Sequence, residues 1–131
     1  MSEATILVAD DETHILNVVS MKLQNAGFRV LTAEDGAEAY AQAISMHPDL
    51  IISDLQMPRL SGLELACKLR GDALTRDIPV VLLTARGFDL PNGDSAENNI
   101  CRVLPKPFSP REILACVQEL LSQTAVVGAP S

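Results

Sequence analysis

The stretch TILVADDE, residues 5–12, is the part of the sequence that decides the predicted fold. A short run rich in branched apolar residues ends there at two adjacent carboxylates, Asp10 and Asp11. Continuous apolar runs of this length are typical of strands that are buried on both faces of a parallel sheet. We therefore expect a central parallel strand at residues 5–9, with both carboxylates where that strand reaches solvent.

Helix signals follow this strand. Apolar residues recur at Ile15, Val19, Leu23 and Ala26, which is the spacing of one helix face, and Gly27 is placed to end the helix. The same alternation of apolar strand and amphipathic helix continues to the end of the chain. Further strands are predicted at 28–32, 50–53, 78–83 and 103–104, and further helices at 37–46, 61–70, 86–99 and 109–121.

Two of these helices begin with a capping box, in which a serine hydroxyl and a glutamate carboxylate bond to free backbone N–H groups. The boxes are Ser61-Gly-Leu-Glu64 and Ser109-Pro-Arg-Glu112. The helix expected at 86–99 is weaker, because Pro91-Asn-Gly93 interrupts it. Strands that alternate with helices, without a repeat of fixed period, predict an α/β protein with a doubly wound parallel sheet.

Length and charge exclude several classes of protein. The chain has 131 residues and a net charge of −7, and we assign one domain to residues 4–122 and a flexible tail or linker to 123–131. The shortage of basic residues predicts no direct contact with nucleic acid. The chain has neither an apolar run that spans a bilayer nor a secretory signal, so we expect no membrane contact and a cytoplasmic location.

The cysteines and histidines give no metal or catalytic pattern. Cys67, Cys101 and Cys116 are far apart and lack the spacing of metal ligands, so buried apolar thiols are expected. His14 and His47 are expected at the surface or at helix caps.

Polar residues at the predicted strand ends form the candidate site. Asp10 and Asp11 follow the first strand, Asp54 the third, Thr84 the fourth and Lys106 the fifth. Ligands of parallel α/β sheets bind at the carboxyl ends of the strands, so these side chains are expected to converge. Three neighbouring carboxylates need either a bound cation or protonation of one member, and an oxygen-only ligand set suits Mg²⁺.

These residues closely resemble the receiver domain of two-component response regulators. The resemblance rests on VADDE at 8–12, ISDLQMP at 52–58 followed by Gly62, TA at 84–85, and KPF at 106–108. It extends from about residue 4 to residue 122. It implies a (βα)5 flavodoxin-like fold with five parallel strands in the order 2-1-3-4-5.

The resemblance also implies the chemistry. Asp54 would accept a phosphoryl group from a phosphohistidine of a sensor histidine kinase or a histidine phosphotransferase. Asp10, Asp11, Asp54 and the backbone carbonyl of Gln56 would hold Mg²⁺. On this basis the protein is a phosphoacceptor that assists its own phosphorylation and dephosphorylation, not an enzyme, and acts as a monomer or weak homodimer.

Other positions would contact or modulate the phosphoryl group. By resemblance, Thr84 donates a hydroxyl hydrogen bond to it, Lys106 supplies positive charge, and Gln56 and Arg86 influence its hydrolysis. Val103 departs from the family pattern, because an aromatic residue that changes rotamer on phosphorylation usually stands there. A β-branched valine is stiff at χ1 and has no polar tip, so that aromatic switch is absent.

Two other functions are compatible with the sequence. One is an interaction module of the same fold that works without phosphorylation. The absence of the aromatic switch at Val103 supports this alternative. The other is a phosphatase that forms an aspartyl phosphate, but that class needs an aspartate two residues after the nucleophile, where this chain has Gln56.

Overall fold

Strands and helices alternate along the chain in the computed structural model, which describes residues 4–55, 57, 60–84, 100–105 and 109–128. The elements are β1 (Thr5–Ala9), α1 (Thr13–Asn25), β2 (Arg29–Ala33), α2 (Gly36–Met46), β3 (Leu50–Asp54), α3 (Gly62–Arg70), β4 (Val80–Thr84), β5 (Ile100–Pro105) and α4 (Pro110–Gly128).

All the strands are parallel, and their order in the sheet is β2-β1-β3-β4-β5. The predicted parallel α/β architecture, with the order 2-1-3-4, is confirmed. β5 lies at the edge beside β4, with a register shift between Val80 and Val81. The helix predicted at 86–99 lies outside the described residues, so the expected number of five βα units remains a prediction.

Two apolar clusters cover the two faces of the sheet. Leu7, Ile51 and Leu82 face α2 and α3, whereas their neighbours Val8 and Ile52 face α1 and α4. β1 and β3 are accordingly buried almost throughout. Burial on both faces leaves the ends of the central strands as the places where polar side chains reach solvent, and this positions the candidate site.

The helix ends follow the predicted signals. The capping box of α3 is formed, because the Ser61 hydroxyl accepts from the backbone N–H of Glu64 at 3.1 Å and the Glu64 carboxylate accepts from that of Ser61 at 2.9 Å. The box at Ser109 is formed in the same way. Gly27 has φ +101°, a conformation that L side chains rarely adopt, and His47 caps α2 in the left-handed region as expected.

The buried face of α1 differs from the prediction. Leu16, Val19 and Leu23 are buried, whereas Ile15 is only partly covered and Ala26, the C-cap residue, is exposed. The predicted face, with Ile15 and Ala26, and the observed face, with Leu16, share Val19 and Leu23, so the spacing of apolar residues is compatible with both. Packing against both the sheet and α4 selects the face that contains Leu16.

The expectation that all three cysteines are buried is wrong for Cys67, which is exposed. In α3 the inward face is formed by Leu65, Ala66 and Leu69, and this turns Cys67 outward. Cys116 is buried as predicted, and the side chain of Cys101 lies outside the described part of the structure.

Helix α4 continues to Gly128, whereas the sequence suggested a frayed tail after residue 122. Residues 123–127 contain neither glycine nor proline, so nothing in them interrupts the helix before Gly128. The predicted division between a domain at 4–122 and a tail at 123–131 is not tested by this helix. Within the described residues, no helix is both long and apolar enough to cross a membrane.

The Tyr40 hydroxyl of α2 donates to Asp72 Oδ2 at 3.2 Å, and the Lys68 ammonium lies 4.7 Å from the ring centroid. Burial, followed by the hydrogen bond and the charge of Asp72, raises the pKa of Tyr40 above its usual 10.0. Folding therefore favours the neutral phenol. The resulting stabilisation is complete below pH 10.0 and is lost as the pH rises through the folded-state pKa.

We expect ultraviolet titration to detect this shift directly. The chain contains one tyrosine and no tryptophan, so phenolate absorbance reports Tyr40 alone. The midpoint should lie above 10.0 in the native protein and should move down in Asp72→Asn, which keeps the shape but removes the charge. A native midpoint at or below 10.0 would contradict the Tyr40–Asp72 interaction.

Candidate functional site

Three carboxylates meet at the carboxyl ends of the two central strands. Asp10 and Asp11 directly follow β1, and Asp54 ends β3, whose Ser53 pairs with Ala9 of β1. One carboxylate oxygen from each aspartate lies within 4.8 Å of the other two. Asp10 is fully buried, Asp54 is only 7% exposed, and Asp11 is exposed. The cluster is therefore open to solvent on the side of Asp11.

The turn from β1 into α1 holds Asp10. Its backbone N–H donates to the carbonyl of Ala33 at 3.1 Å, and its Oδ1 accepts from the N–H of Glu12 at 2.9 Å. The Glu12 carbonyl in turn accepts from the N–H groups of Ile15 and Leu16 in the first turn of α1. The buried carboxylate is thus fixed by the same bonds that begin the helix.

The main chain around Asp54 is held by the neighbouring strand β4 and by α3. The N–H of Leu55 donates to the carbonyl of Leu83 in β4 at 2.8 Å, and the N–H of Gly62 donates to the carbonyl of Leu55 at 2.8 Å. The Ser53 hydroxyl donates to the carbonyl of Asp54 at 3.0 Å. Asp54 therefore stands on a fixed backbone at the entrance to a loop that closes at the start of α3.

Gly62 is required for this closure. A Cβ atom at Gly62 would lie 2.5 Å from the carbonyl oxygen of Asp54 and 3.0 Å from Cδ2 of Leu82. Neither the strand carbonyl nor the buried leucine has room to retreat, because both belong to the packed sheet. Only glycine lets the first turn of α3 approach the phosphoacceptor candidate this closely.

The donor set fits a hard divalent cation. Carboxylate oxygens are ligands that Mg²⁺ prefers, and it commonly binds through one or two carboxylates while keeping several waters. Two negative charges 4.8 Å apart repel by on the order of 3 kcal/mol at an effective dielectric constant of 20. A cation that removes this repulsion therefore binds with an advantage that isolated surface carboxylates lack. Asp10, Asp11 and Asp54 are the residues that could hold it.

Only part of the predicted site lies in the described structure. The three aspartates converge as expected from their positions after β1 and β3. The backbone of Thr84 ends β4 opposite Pro105, and that of Val103 pairs with Leu82, but neither side chain is described. Gln56, Arg86 and Lys106 lie outside the described residues, so their predicted roles remain predictions.

The sequence did not reveal what two residues do at the site. Ser53 was passed over as one member of the apolar run of β3, although a serine there signals a hydroxyl that needs a partner. Gly62 is part of the motif that carries the family resemblance and of the capping box at 61–64, but its contact with the Asp54 carbonyl depends on how α3 approaches the sheet.

Comparison with known proteins gives a consistent result. The family model of the response regulator receiver domain matches residues 6–118. The phosphate regulon transcriptional regulatory protein PhoB of Pseudomonas aeruginosa is 40% identical over 120 residues, which cover 92% of this chain and 52% of PhoB. The DNA-binding dual master transcriptional regulator RpaA of Synechocystis is 40% identical over 119 residues, covering 91% of this chain and 49% of RpaA.

The chain thus spans about half the length of the curated relatives it matches. One of these relatives is described as DNA-binding and others as transcriptional regulatory proteins. The expectation of no contact with nucleic acid is therefore not supported. It rested on the charge of these 131 residues, and that charge says nothing about a longer protein.

Solved structures agree with the fold. The chemotaxis response regulator CheY4 of Vibrio cholerae superimposes with a TM-score of 0.82 at 34% identity, covering 90% of this chain and 98% of CheY4. A receiver domain of a Pseudomonas aeruginosa sensor histidine kinase, with a magnesium ion coordinated in its active site cleft, has a TM-score of 0.76 at 27% identity. The superposition covers 90% of this chain and 97% of that domain.

Proposed function

Since the chain belongs to the response regulator receiver family of two-component systems, whose members are phosphoacceptors, we propose that Asp54 accepts a phosphoryl group from a phosphohistidine in the presence of Mg²⁺. The observation that carries this proposal is the cluster of three carboxylates, with the poorly exposed Asp54 on the fixed end of β3. A buried nucleophile on a rigid strand suits phosphoryl transfer, because the protein contributes mainly positioning and charge neutralisation.

The proposed reaction moves the phosphoryl group from nitrogen to oxygen. A carboxylate oxygen of Asp54 attacks phosphorus, the bond from phosphorus to the imidazole nitrogen breaks, and the imidazole leaves with the bonding electron pair. Asp10 and Asp11, with Asp54 and the backbone carbonyl of Gln56, are the residues proposed to hold Mg²⁺. The metal would supply positive charge for the transferring phosphoryl oxygens.

Two further residues are proposed to act on the phosphoryl group itself. Thr84 would donate a hydroxyl hydrogen bond to one of its oxygens, and the Lys106 ammonium would neutralise part of its charge. Thr84 is the last residue of β4 and Lys106 comes directly after β5, and both strands run parallel to β3 in the same sheet. Gln56 and Arg86 come two residues after Asp54 and Thr84, and we propose that they influence hydrolysis of the acyl phosphate. The protein would itself assist this hydrolysis.

The biological setting is proposed from the family. The phosphoryl donor would be a sensor histidine kinase or a histidine phosphotransferase, and the location would be cytoplasmic. We further propose a complete (βα)5 fold with a helix within residues 86–99, and a monomer or weak homodimer. Phosphorylation would change contacts with a protein partner or pass the phosphoryl group along a relay.

Incubation with Mg²⁺ and acetyl phosphate tests the proposal without a kinase. We expect intact-mass spectrometry to detect one adduct of about 80 Da, the mass of a phosphoryl group. Chelation of Mg²⁺ with EDTA should prevent the adduct, because the three carboxylates would then repel the incoming phosphoryl oxygens. Mg²⁺ binding without any adduct would reject the proposal and favour an interaction module that works without phosphorylation.

A further inference from the structure

Ser53 is a polar residue in a strand that is otherwise apolar up to Asp54. Every residue of β3 is buried, and the side chain of Ser53 has no exposed surface. Its pairing partners, Ala9 and Leu82, belong to the apolar cluster beneath α2 and α3. Burying a hydroxyl in such a place is unfavourable unless it forms a hydrogen bond, so the bond that it forms deserves a functional explanation.

That bond goes to the carbonyl oxygen of Asp54, at 3.0 Å. The same oxygen faces the α carbon of Gly62, where a Cβ atom would come within 2.5 Å. The N–H of the same peptide group, that of Leu55, donates to the carbonyl of Leu83, and the carbonyl of the next peptide group, that of Leu55, accepts from the N–H of Gly62. The main chain from residue 53 to residue 55 therefore has little freedom, and Asp54 keeps only the rotation of its own side chain.

From this arrangement we infer that Ser53 is a positioning residue for phosphorylation of Asp54. The inference rests on the proposed function. The hydroxyl fixes the peptide group that follows Asp54, and it thereby fixes the direction of the nucleophilic carboxylate. Misplacement of a reacting group by about 1 Å can slow a reaction by about 100-fold, so loss of the hydrogen bond that holds this backbone is expected to lower the rate of phosphorylation.

The rate of phosphorylation by acetyl phosphate at saturating Mg²⁺ tests the inference. Ser53→Ala removes the hydrogen bond but fits beside Ala9, and we expect a rate about three- to tenfold lower with the folded state retained. Ser53→Thr keeps the hydroxyl and should remain within about twofold of the native rate. If the alanine variant does not fold, Ser53→Cys, whose thiol is a weak donor, should also be slower than native.

Ser20 provides a matched control. It is a buried serine on α1, on the other side of the sheet, and within the described chain its hydroxyl has no hydrogen-bond partner. Ser20→Ala should leave the rate unchanged. A native rate in Ser53→Ala, even with lower stability, would overturn the inference and leave the proposed function intact. No adduct on the native protein would overturn the proposed function and the inference together.

Discussion

Asp54→Asn is expected to abolish the phosphoryl adduct completely. The amide has nearly the shape of the carboxylate, so the strand end and its hydrogen bonds should be retained, but the amide oxygen carries no negative charge with which to attack phosphorus. The same change removes one of three mutually repelling carboxylates. In the absence of Mg²⁺ the free energy of unfolding should therefore increase, by about 1–3 kcal/mol.

Intact-mass spectrometry and urea unfolding, each with and without Mg²⁺, measure both effects. Asp77→Asn is the matched control. Asp77 is an exposed carboxylate between α3 and β4, and it precedes β4, whereas the candidate site lies at the carboxyl ends of the strands. It should accept the phosphoryl group at the native rate and show native stability. An adduct that persists in Asp54→Asn would place the phosphoacceptor elsewhere.

Gly62→Ala should lower the stability of the protein markedly. The new methyl group would overlap the carbonyl oxygen of Asp54 and press on Cδ2 of Leu82. Relief requires α3 to move away from β3, and overpacking of this kind costs about 1–3 kcal/mol of the free energy of unfolding. The movement would also release the Leu55 carbonyl from Gly62, so phosphorylation should be slower.

Gly71→Ala separates this effect from the general response to replacing a glycine. A Cβ atom at Gly71 would lie 3.6 Å from its nearest neighbour, the carbonyl of Cys67, and its backbone is right-handed with φ −80°. Alanine fits there, and stability should be unchanged or higher by about 0.4–1 kcal/mol. Equal stability of the two variants in urea unfolding would contradict the close contact at Gly62.

The sequence predicted the bounds of those elements that depend only on local signals, such as an apolar run or a capping box. β1 has the predicted bounds, because its apolar run ends at Asp10, and α3 begins where its capping box places it. β2 and β4 begin one and two residues later than predicted. The start of a strand is set by pairing with the strand beside it, and this pairing is not visible in a single segment.

The part of the candidate site that could be predicted is the part set by the order and direction of the strands. Asp10, Asp11 and Asp54 converge because β1 and β3 are adjacent parallel strands. The alternation of strands and helices indicated the parallel sheet, and the family resemblance implied the strand order. The roles of Ser53 and Gly62 were not predictable, because they depend on side-chain direction and on the approach of α3 to the sheet. Cys67 was misjudged for the same reason, since only the packing of α3 shows which face is exposed.

The most direct test of the account is to locate the phosphoryl group chemically. Borohydride reduces an aspartyl phosphate to homoserine, so the native protein would be incubated with Mg²⁺ and acetyl phosphate, reduced, digested and sequenced by tandem mass spectrometry. Homoserine is expected at position 54 and at no other acidic residue. Homoserine at a different aspartate, or its absence from a protein that folds and binds Mg²⁺, would contradict it.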